Sequence, residues 1–489
     1  MNNIIRVSFP LGLITLVTLF VGVIKTKVWA VYLGPYGLGL ISQLYNYQLF
    51  LSLLASFGMA QGITKYVSEY QQANNKEGAR YVLNTAISLS LLIALLSVII
   101  TITFANSISH LLLGNSALFL LVIIAVLGVP FQTVGETCLA FLQGSQGVRE
   151  IVRANLLISG LGLASAIPLI IFFKLPGAVI HLMLLGAITY ISFCWQARSL
   201  TVPLRLITVK NLKGIFNSEL LKKLVNFGFL RLIQIAIGPV AILVVRSLVI
   251  RYQGASQNGI YQAASNFSVF FIPIILNVLW SYSYPGFCLA KTKEELTVEV
   301  NQFLRFALLI SLPIIILILL VRYPLIRLVY APTFKLAAAI LPLQLLGDFL
   351  RVMSIPLGSA LVSREMLTAG IKYEFIWNVA FVTAAFSLLP FFSLTVLLVA
   401  YVPSYLLNFI MLYIHMAYFN GFKLSRRNLA IIVFSILLIL VTGFLPLKKI
   451  VNFSLFVTIA VFWLSTSLSR MEARALLYRS LGFIKRERV

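Results

Sequence analysis

Apolar runs of about 18 to 25 residues recur from one end of the sequence to the other, each long enough to cross the hydrocarbon core of a bilayer. Polar and charged residues gather in short stretches between them. The pattern predicts about fourteen helices, near residues 4–32, 37–62, 81–105, 117–143, 151–173, 176–197, 224–250, 258–289, 300–321, 335–361, 368–389, 392–418, 429–446 and 450–469. The expected fold class is an all-α polytopic membrane protein. The N-terminal apolar stretch is too long for a signal-peptide core and no small-residue cleavage site follows it, so it reads as the first transmembrane helix.

Composition agrees with the pattern. Hydrophobic residues make up 60% of the 489 residues and charged residues 10%, with a mean hydropathy of +1.00; soluble domains carry roughly 25% charged residues. Among the charges, 38 Lys and Arg outweigh 13 Asp and Glu, a net +25. In a soluble chain that balance would point to nucleic acid, but here most of it is topology. Cytoplasmic loops of membrane proteins retain Lys and Arg. Arg6, the connections near 63–80, 144–153, 198–223, 290–305, 362–374 and 420–428, and the C-terminal tail together hold 26 of the 38, and the opposite connections hold seven. Both termini are expected to be cytoplasmic, which requires an even number of spans. The localisation expected is the plasma (inner) membrane, with no nucleic-acid partner.

Self-comparison exposes a repeat. A shift of 220 residues places Tyr32 on Tyr252, Gly34 on Gly254, Gly39 on Gly259 and Asn46 on Asn266, so YLGPYGLGLISQLYN lies over YQGASQNGIYQAASN. The same shift brings ISHLLLG beside LVYAPTF and the fourth predicted helix beside the tenth. Six helices separate the copies, so they share an orientation and describe a parallel repeat about an axis along the membrane normal. The expected organisation is a six-helix lobe at 1–200, a basic linker at 201–223, a second six-helix lobe at 224–420, two extra helices within 421–469 and a basic tail at 470–489. The amphipathic end of the linker, LKGIFNSELLKKLVNF, reads as an interfacial helix on anionic lipid, and the tail as a solvated basic segment near the lipid surface.

Several chemistries are excluded. The dipeptide Gly-Lys is absent, so there is no phosphate-cradling P-loop. His110, His181 and His415 are too far apart for HExxH, and Cys138, Cys194 and Cys288 show no paired spacing; no metal, cofactor or disulfide framework is implied. No GxSxG occurs, and the outer connections run to about a dozen residues at most, too short for a catalytic loop of a membrane glycosyltransferase or polymerase.

What remains is the set of charges inside the helices, costly in hydrocarbon and therefore a mark of a substrate or ion path. These are Lys25, Lys27, Arg231, Arg246 and Arg351, with Glu136 and Asp348 as the acids. Four of the five cations lie on the first and seventh helices, counterparts in the repeat, as a basic cavity on the pseudo-twofold axis would require. Arg231 and Arg246, fifteen residues apart, fall about 60° apart around an ideal helix. Lys25, Lys27 and Arg246 could instead snorkel to the outer interface. Asp348 and Arg351 can meet as an i,i+3 pair, either a structural ion pair or a carboxylate that exchanges Arg for a proton. Glu136 has no local partner and could be a second proton-linked group, or find an Asn or Ser across helices. Gly238-Pro239, Pro10 with Gly12, and Pro342 with Pro356 suggest kinks. Tyr45, Tyr261 and Trp280 are candidate sugar platforms.

With KTKVWAVYLGPYGLGL, GITKYVSEY, GPVAILVVR, GIYQAASNFSVFF and LQLLGDFLRV in this order over about 420 residues, the chain resembles the Wzx-type polysaccharide repeat-unit flippases of the multidrug/oligosaccharidyl-lipid/polysaccharide exporter superfamily, and among them the enterobacterial common antigen lipid III and O-antigen translocases. The resemblance implies a V-shaped two-lobe transporter, not an enzyme, that moves an undecaprenyl-pyrophosphate-linked oligosaccharide from the cytoplasmic to the periplasmic leaflet under the proton motive force. It implies membrane lipids as surroundings and a polysaccharide polymerase and chain-length regulator as partners. The basic residues Lys25, Lys27, Arg231, Arg246 and Arg351 would hold the pyrophosphate and sugar, with Asp348 and Glu136 in coupling. The extra helix pair departs from twelve-helix members and matches the fourteen-helix lipid II flippases. A cation-coupled drug exporter of the same superfamily would instead place acids in its lobes.

Overall fold

A computed structural model of the chain describes residues 2–200, 219–364 and 366–444. Most of the basic linker, the fourteenth predicted helix at 450–469, the tail and the Trp280 side chain lie outside the described residues. Backbone groups in hydrocarbon must satisfy one another, and helices do so within a single segment. Among the described residues there are fifteen α-helices and no sheet: α1 (Asn2–Ala55), α2 (Ala60–Gln72), α3 (Lys76–Thr103), α4 (Ala105–Leu113), α5 (Phe119–Val126), α6 (Val129–Gly144), α7 (Val148–Leu200), α8 (Glu219–Gln253), α9 (Ala255–Leu289), α10 (Lys293–Leu320), α11 (Arg322–Val329), α12 (Lys335–Ser363), α13 (Leu367–Leu388), α14 (Leu394–Asn420) and α15 (Arg426–Phe444). Nine stretches among them are long and apolar enough to span a bilayer. The chain is a multi-pass membrane protein.

Two of the helices are too long for one crossing. At 1.5 Å per residue the 54 residues of α1 and the 53 of α7 reach roughly 80 Å, more than twice a ~30 Å hydrocarbon core. Each is broken near its middle. Gly34 leaves helical geometry in α1 with φ 63° and ψ −172°, just before Pro35, a backbone that glycine adopts without a Cβ penalty. In α7 the break falls on Lys174, φ 49° and ψ −125°, two residues before Pro176. Beyond it the halves approach so closely that a Cβ on Gly177 would fall 1.9 Å from the Leu169 carbonyl oxygen. The breaks therefore stand between the predicted helix pairs 4–32/37–62 and 151–173/176–197.

The helix is continuous through Gly238 and Pro239 in α8. Likewise α12 stays helical through both Pro342 and Pro356. The connection at 63–80 is also more ordered than its polarity suggests. A turn at Ser56–Met59, with Phe57 and Gly58 at positive φ, leads into the amphipathic α2, whose Ile63 and Val67 pack in a core with Leu83, Phe141 and Phe193. After the turn at 290–292, α10 starts on a capping box: the Thr292 hydroxyl accepts from the Glu295 amide and the Glu295 carboxylate accepts from the Thr292 amide, satisfying two otherwise orphaned donors.

The helices form two compact units. One comprises Met1–Ala263, Ile326–Leu336 and Glu374–Leu397, and the other Ala264–Leu325, Ala337–Tyr373 and Leu398–Val489.

Candidate functional site

In the first unit the second half of α1 crosses the start of α9 at two glycines. A Cβ on Gly39 would fall 1.9 Å from the Ala255 carbonyl oxygen and 2.9 Å from the Gly259 nitrogen, and one on Gly259 would fall 1.9 Å from the Pro35 carbonyl oxygen. Small residues of this kind let membrane helices meet backbone to backbone. Polar side chains close over the crossing. Asn258 Nδ2 donates to the Gly39 carbonyl at 2.8 Å, and Gln43 Nε2 donates to the Leu243 carbonyl at 3.1 Å and to Ser247 Oγ at 2.9 Å.

Arg246 sits within this layer. It is 4% exposed, its guanidinium lies over the Tyr261 ring at 5.1 Å, and its Nη1 donates to Ser42 Oγ at 3.4 Å. A cation over an aromatic face is held by the ring quadrupole, which offsets part of the cost of burial. Its Nε is buried without a hydrogen-bond acceptor. In this conformation Arg246 is therefore enclosed in protein, neither snorkelling to the interface nor facing open water. The sugar-platform expectation for Tyr261 is corrected for the same conformation, because its ring is 6% exposed and carries Arg246. Tyr45, by contrast, is exposed.

The remaining sequence-derived cations have distinct settings. Arg231 is half-buried and donates from Nη1 to Gln234 Oε1 at 2.6 Å, one turn along α8. Lys25 Nζ stands 5.4 Å over the Trp29 ring, which meets the buried His181 edge-on at 6.2 Å. Lys27 Nζ donates to the carbonyls of Arg327, at 2.9 Å, and Tyr330. These are carbonyls at the end of α11, where the helix dipole favours a cation.

Both intramembrane carboxylates are held by neutral donors. Glu136 accepts from Gln132 Nε2 at 2.7 Å and from Ser52 Oγ at 3.3 Å. The expectation that it lacks a local partner is corrected: Gln132 precedes it by one turn of α6. In the second unit Asp348 is fully buried (0% exposed) and accepts from Tyr401 Oη at 3.0 Å, from Gln344 Nε2 at 3.4 Å and from the Ser268 hydroxyl. Arg351, one turn on, is exposed. Gln-x-x-x-acid is thus common to α6 and α12, a spacing that brings the two side chains to one helix face. That signal was available in the sequence. Ser268 and Tyr401 had no such signal, because they come from other helices. Among the described residues no cluster of three or more His, Cys, Asp or Glu gathers to hold a metal ion.

Long apolar helices, a glycine-to-glycine crossing and isolated charges held inside the helices define a polytopic membrane protein that keeps polar groups within its bundle. The polysaccharide biosynthesis protein family matches residues 28–339, and the chain belongs to that family. It is similar to the lipid III flippase of Escherichia coli (strain K12), 26% identical over 401 residues that cover 81% of this chain and 94% of that protein. Its fold is similar to the inward-facing conformation of a multidrug resistance MATE family transporter, with a TM-score of 0.69 at 17% identity, covering 85% of this chain and 96% of the other. It is equally similar to the lipid II flippase MurJ in an inward closed conformation, with a TM-score of 0.69 at 14% identity, covering 98% of this chain and 99% of the other.

Proposed function

We propose that this transporter flips an undecaprenyl-pyrophosphate-linked oligosaccharide from the cytoplasmic to the outer leaflet of the plasma membrane by alternating access, with both termini cytoplasmic and the proton motive force as driver. The observation that carries the reading is the sign of the intramembrane charge: Lys25, Lys27, Arg231, Arg246 and Arg351 outnumber Glu136 and Asp348. Cations in a water-filled path suit a pyrophosphate, by charge-assisted hydrogen bonds. An exporter of organic cations would need the opposite balance. Membership of the polysaccharide biosynthesis family and the likeness to a protein named lipid III flippase support the same substrate class.

The two-lobe repeat is part of the proposal. It is supported by matched conformations at matched positions: Gly34 and Gly254 both take positive φ, and Gly39 and Gly259 are the two glycines that meet. A short helix followed by a 3-10 turn also recurs, as α4 with residues Ser116–Leu118 and as α11 with residues Pro332–Phe334. Alternating access then requires the Gly39–Gly259 crossing to part in one state, which frees Arg246 to reach the pyrophosphate.

The test is complementation of a strain lacking its own repeat-unit flippase with Arg231→Gln and Arg246→Gln variants. Loss of surface polysaccharide with normal membrane insertion is the expected result. Unchanged polysaccharide in both variants would overturn the pyrophosphate site.

A further inference from the structure

Beside the Gly39–Gly259 crossing, the first unit holds a half-open cavity of about 690 Å³ whose walls are mostly apolar. Its size lies within the roughly 300–1,000 Å³ of pockets that hold small ligands. Phe50 and Tyr47 of α1, Leu111 of α4, and Val240, Val244 and Leu248 of α8 supply much of the wall. Polar groups gather on the lining stretches at the ends of the helices, where α1 breaks, α4 turns into Asn115 and α8 ends. Arg251 and His110 are there, both exposed, and no Asp or Glu lines the cavity. Apolar walls with a cation at one end match a molecule that has a hydrocarbon chain and a phosphate head.

We infer that this cavity is a binding site for an anionic membrane phospholipid, which lays one acyl chain along Val240, Val244 and Phe50 and sets its phosphate on Arg251. What surrounds this chain is lipid, so the phospholipid is the abundant source of that chemistry. A carrier polyprenyl phosphate, which shares it, is the competing source. With the termini cytoplasmic as proposed, this end of the helices lies in the outer leaflet. Because Ser247, Gly254 and Ala255 also line the cavity, the bound chain lies against the residues that close the crossing: Ser247 takes the Gln43 bond, and the Ala255 carbonyl abuts Gly39. This site is separate from the proposed pyrophosphate site and does not depend on it.

The experiment uses the full chain in detergent, titrated with phosphatidylglycerol, phosphatidylcholine or polyprenyl phosphate, and reads retained lipid by native mass spectrometry and the thermal unfolding midpoint. Phosphatidylglycerol is expected to be retained and to raise the midpoint saturably, more than phosphatidylcholine. Arg251→Gln should weaken that retention about tenfold, a loss typical of one charge-assisted contact, and Val244→Trp should weaken it by obstructing the wall on which the acyl chain lies. Since tryptophan at 244 can unsettle folding, the exposed Arg251 variant carries the test by itself. Equal phosphatidylglycerol retention by the wild type and Arg251→Gln would overturn the site. Displacement of phosphatidylglycerol by stoichiometric polyprenyl phosphate would overturn the phospholipid as occupant and assign the cavity to the carrier.

Discussion

Gly39 and Gly259 stand backbone to backbone, each filling the space that a side chain on the other would need. A Cβ at either position would come within 1.9 Å of a carbonyl oxygen, that of Ala255 or of Pro35. Backbone cannot yield as a flexible side chain does, so the helices themselves would have to separate.

Gly39→Ala and Gly259→Ala should therefore destabilise the purified protein by about 1–3 kcal/mol, as for other overpacked sites, seen as a lower thermal midpoint, and reduce export. Gly238→Ala is the contrast. The nearest atom to a Cβ there is Glu374 Oε1 at 4.0 Å, and removing a glycine from a helix interior adds up to about 1 kcal/mol of stability. A midpoint for Gly39→Ala equal to the wild type's would contradict the crossing.

Arg246 and Tyr261 should behave as a coupled pair. Arg246→Lys keeps the charge but loses the planar face that stacks on the ring, so it should destabilise despite being conservative. A double-mutant cycle with Tyr261→Leu is expected to give a coupling of about 0.5–2 kcal/mol, the range for cation–π contacts. Additive effects of the two changes would show that the ring is only a neighbour.

Around Asp348, Tyr401→Phe and Ser268→Ala each take one donor from a fully buried carboxylate. Each should cost about 1–3 kcal/mol, the penalty for an unsatisfied buried group. Asp348→Asn keeps the shape and removes the charge. Under the proposed proton coupling, its transport in proteoliposomes should lose the proton-gradient stimulation expected of the wild type; stimulation equal to the wild type's would remove Asp348 from coupling.

The cysteines offer a chemical check of the packing between α6 and α7. Cys138 Sγ and Cys194 Sγ lie 2.9 Å apart as free, buried thiols, whereas Cys288 is exposed. A membrane-permeant thiol oxidant should cross-link Cys138 to Cys194 within the chain, seen as a mobility shift that Cys138→Ser abolishes. A maleimide should label Cys288 first. Faster labelling of Cys138 or Cys194 would mean that this core is open.

Much of the candidate site was legible along the chain, but not its partners. The charged positions stand out against apolar sequence, and the Gln-x-x-x-acid spacing of α6 and α12 could be read directly. Arg246 was visible as a charge, yet its burial on Tyr261 was not. Neither was the tie between Asp348, Ser268 and Tyr401, which draws on three helices. Pro239 leaves α8 a continuous helix, as Pro342 and Pro356 leave α12, because proline is tolerated in a membrane helix when neighbouring groups re-satisfy the freed carbonyl.

By itself the sequence determined that this is a multi-pass membrane protein, near which residues most of its spans lie, and which charges they carry, because hydrocarbon thickness and the cost of charge act on each segment separately. The tertiary structure decided which face of each helix meets protein. Lipid tails are as apolar as leucine, so no hydrophobic gradient around a membrane helix separates the packed face from the lipid face. Only the assembled helices bring Gly39 to Gly259, Arg246 to Tyr261 and Asp348 to Tyr401.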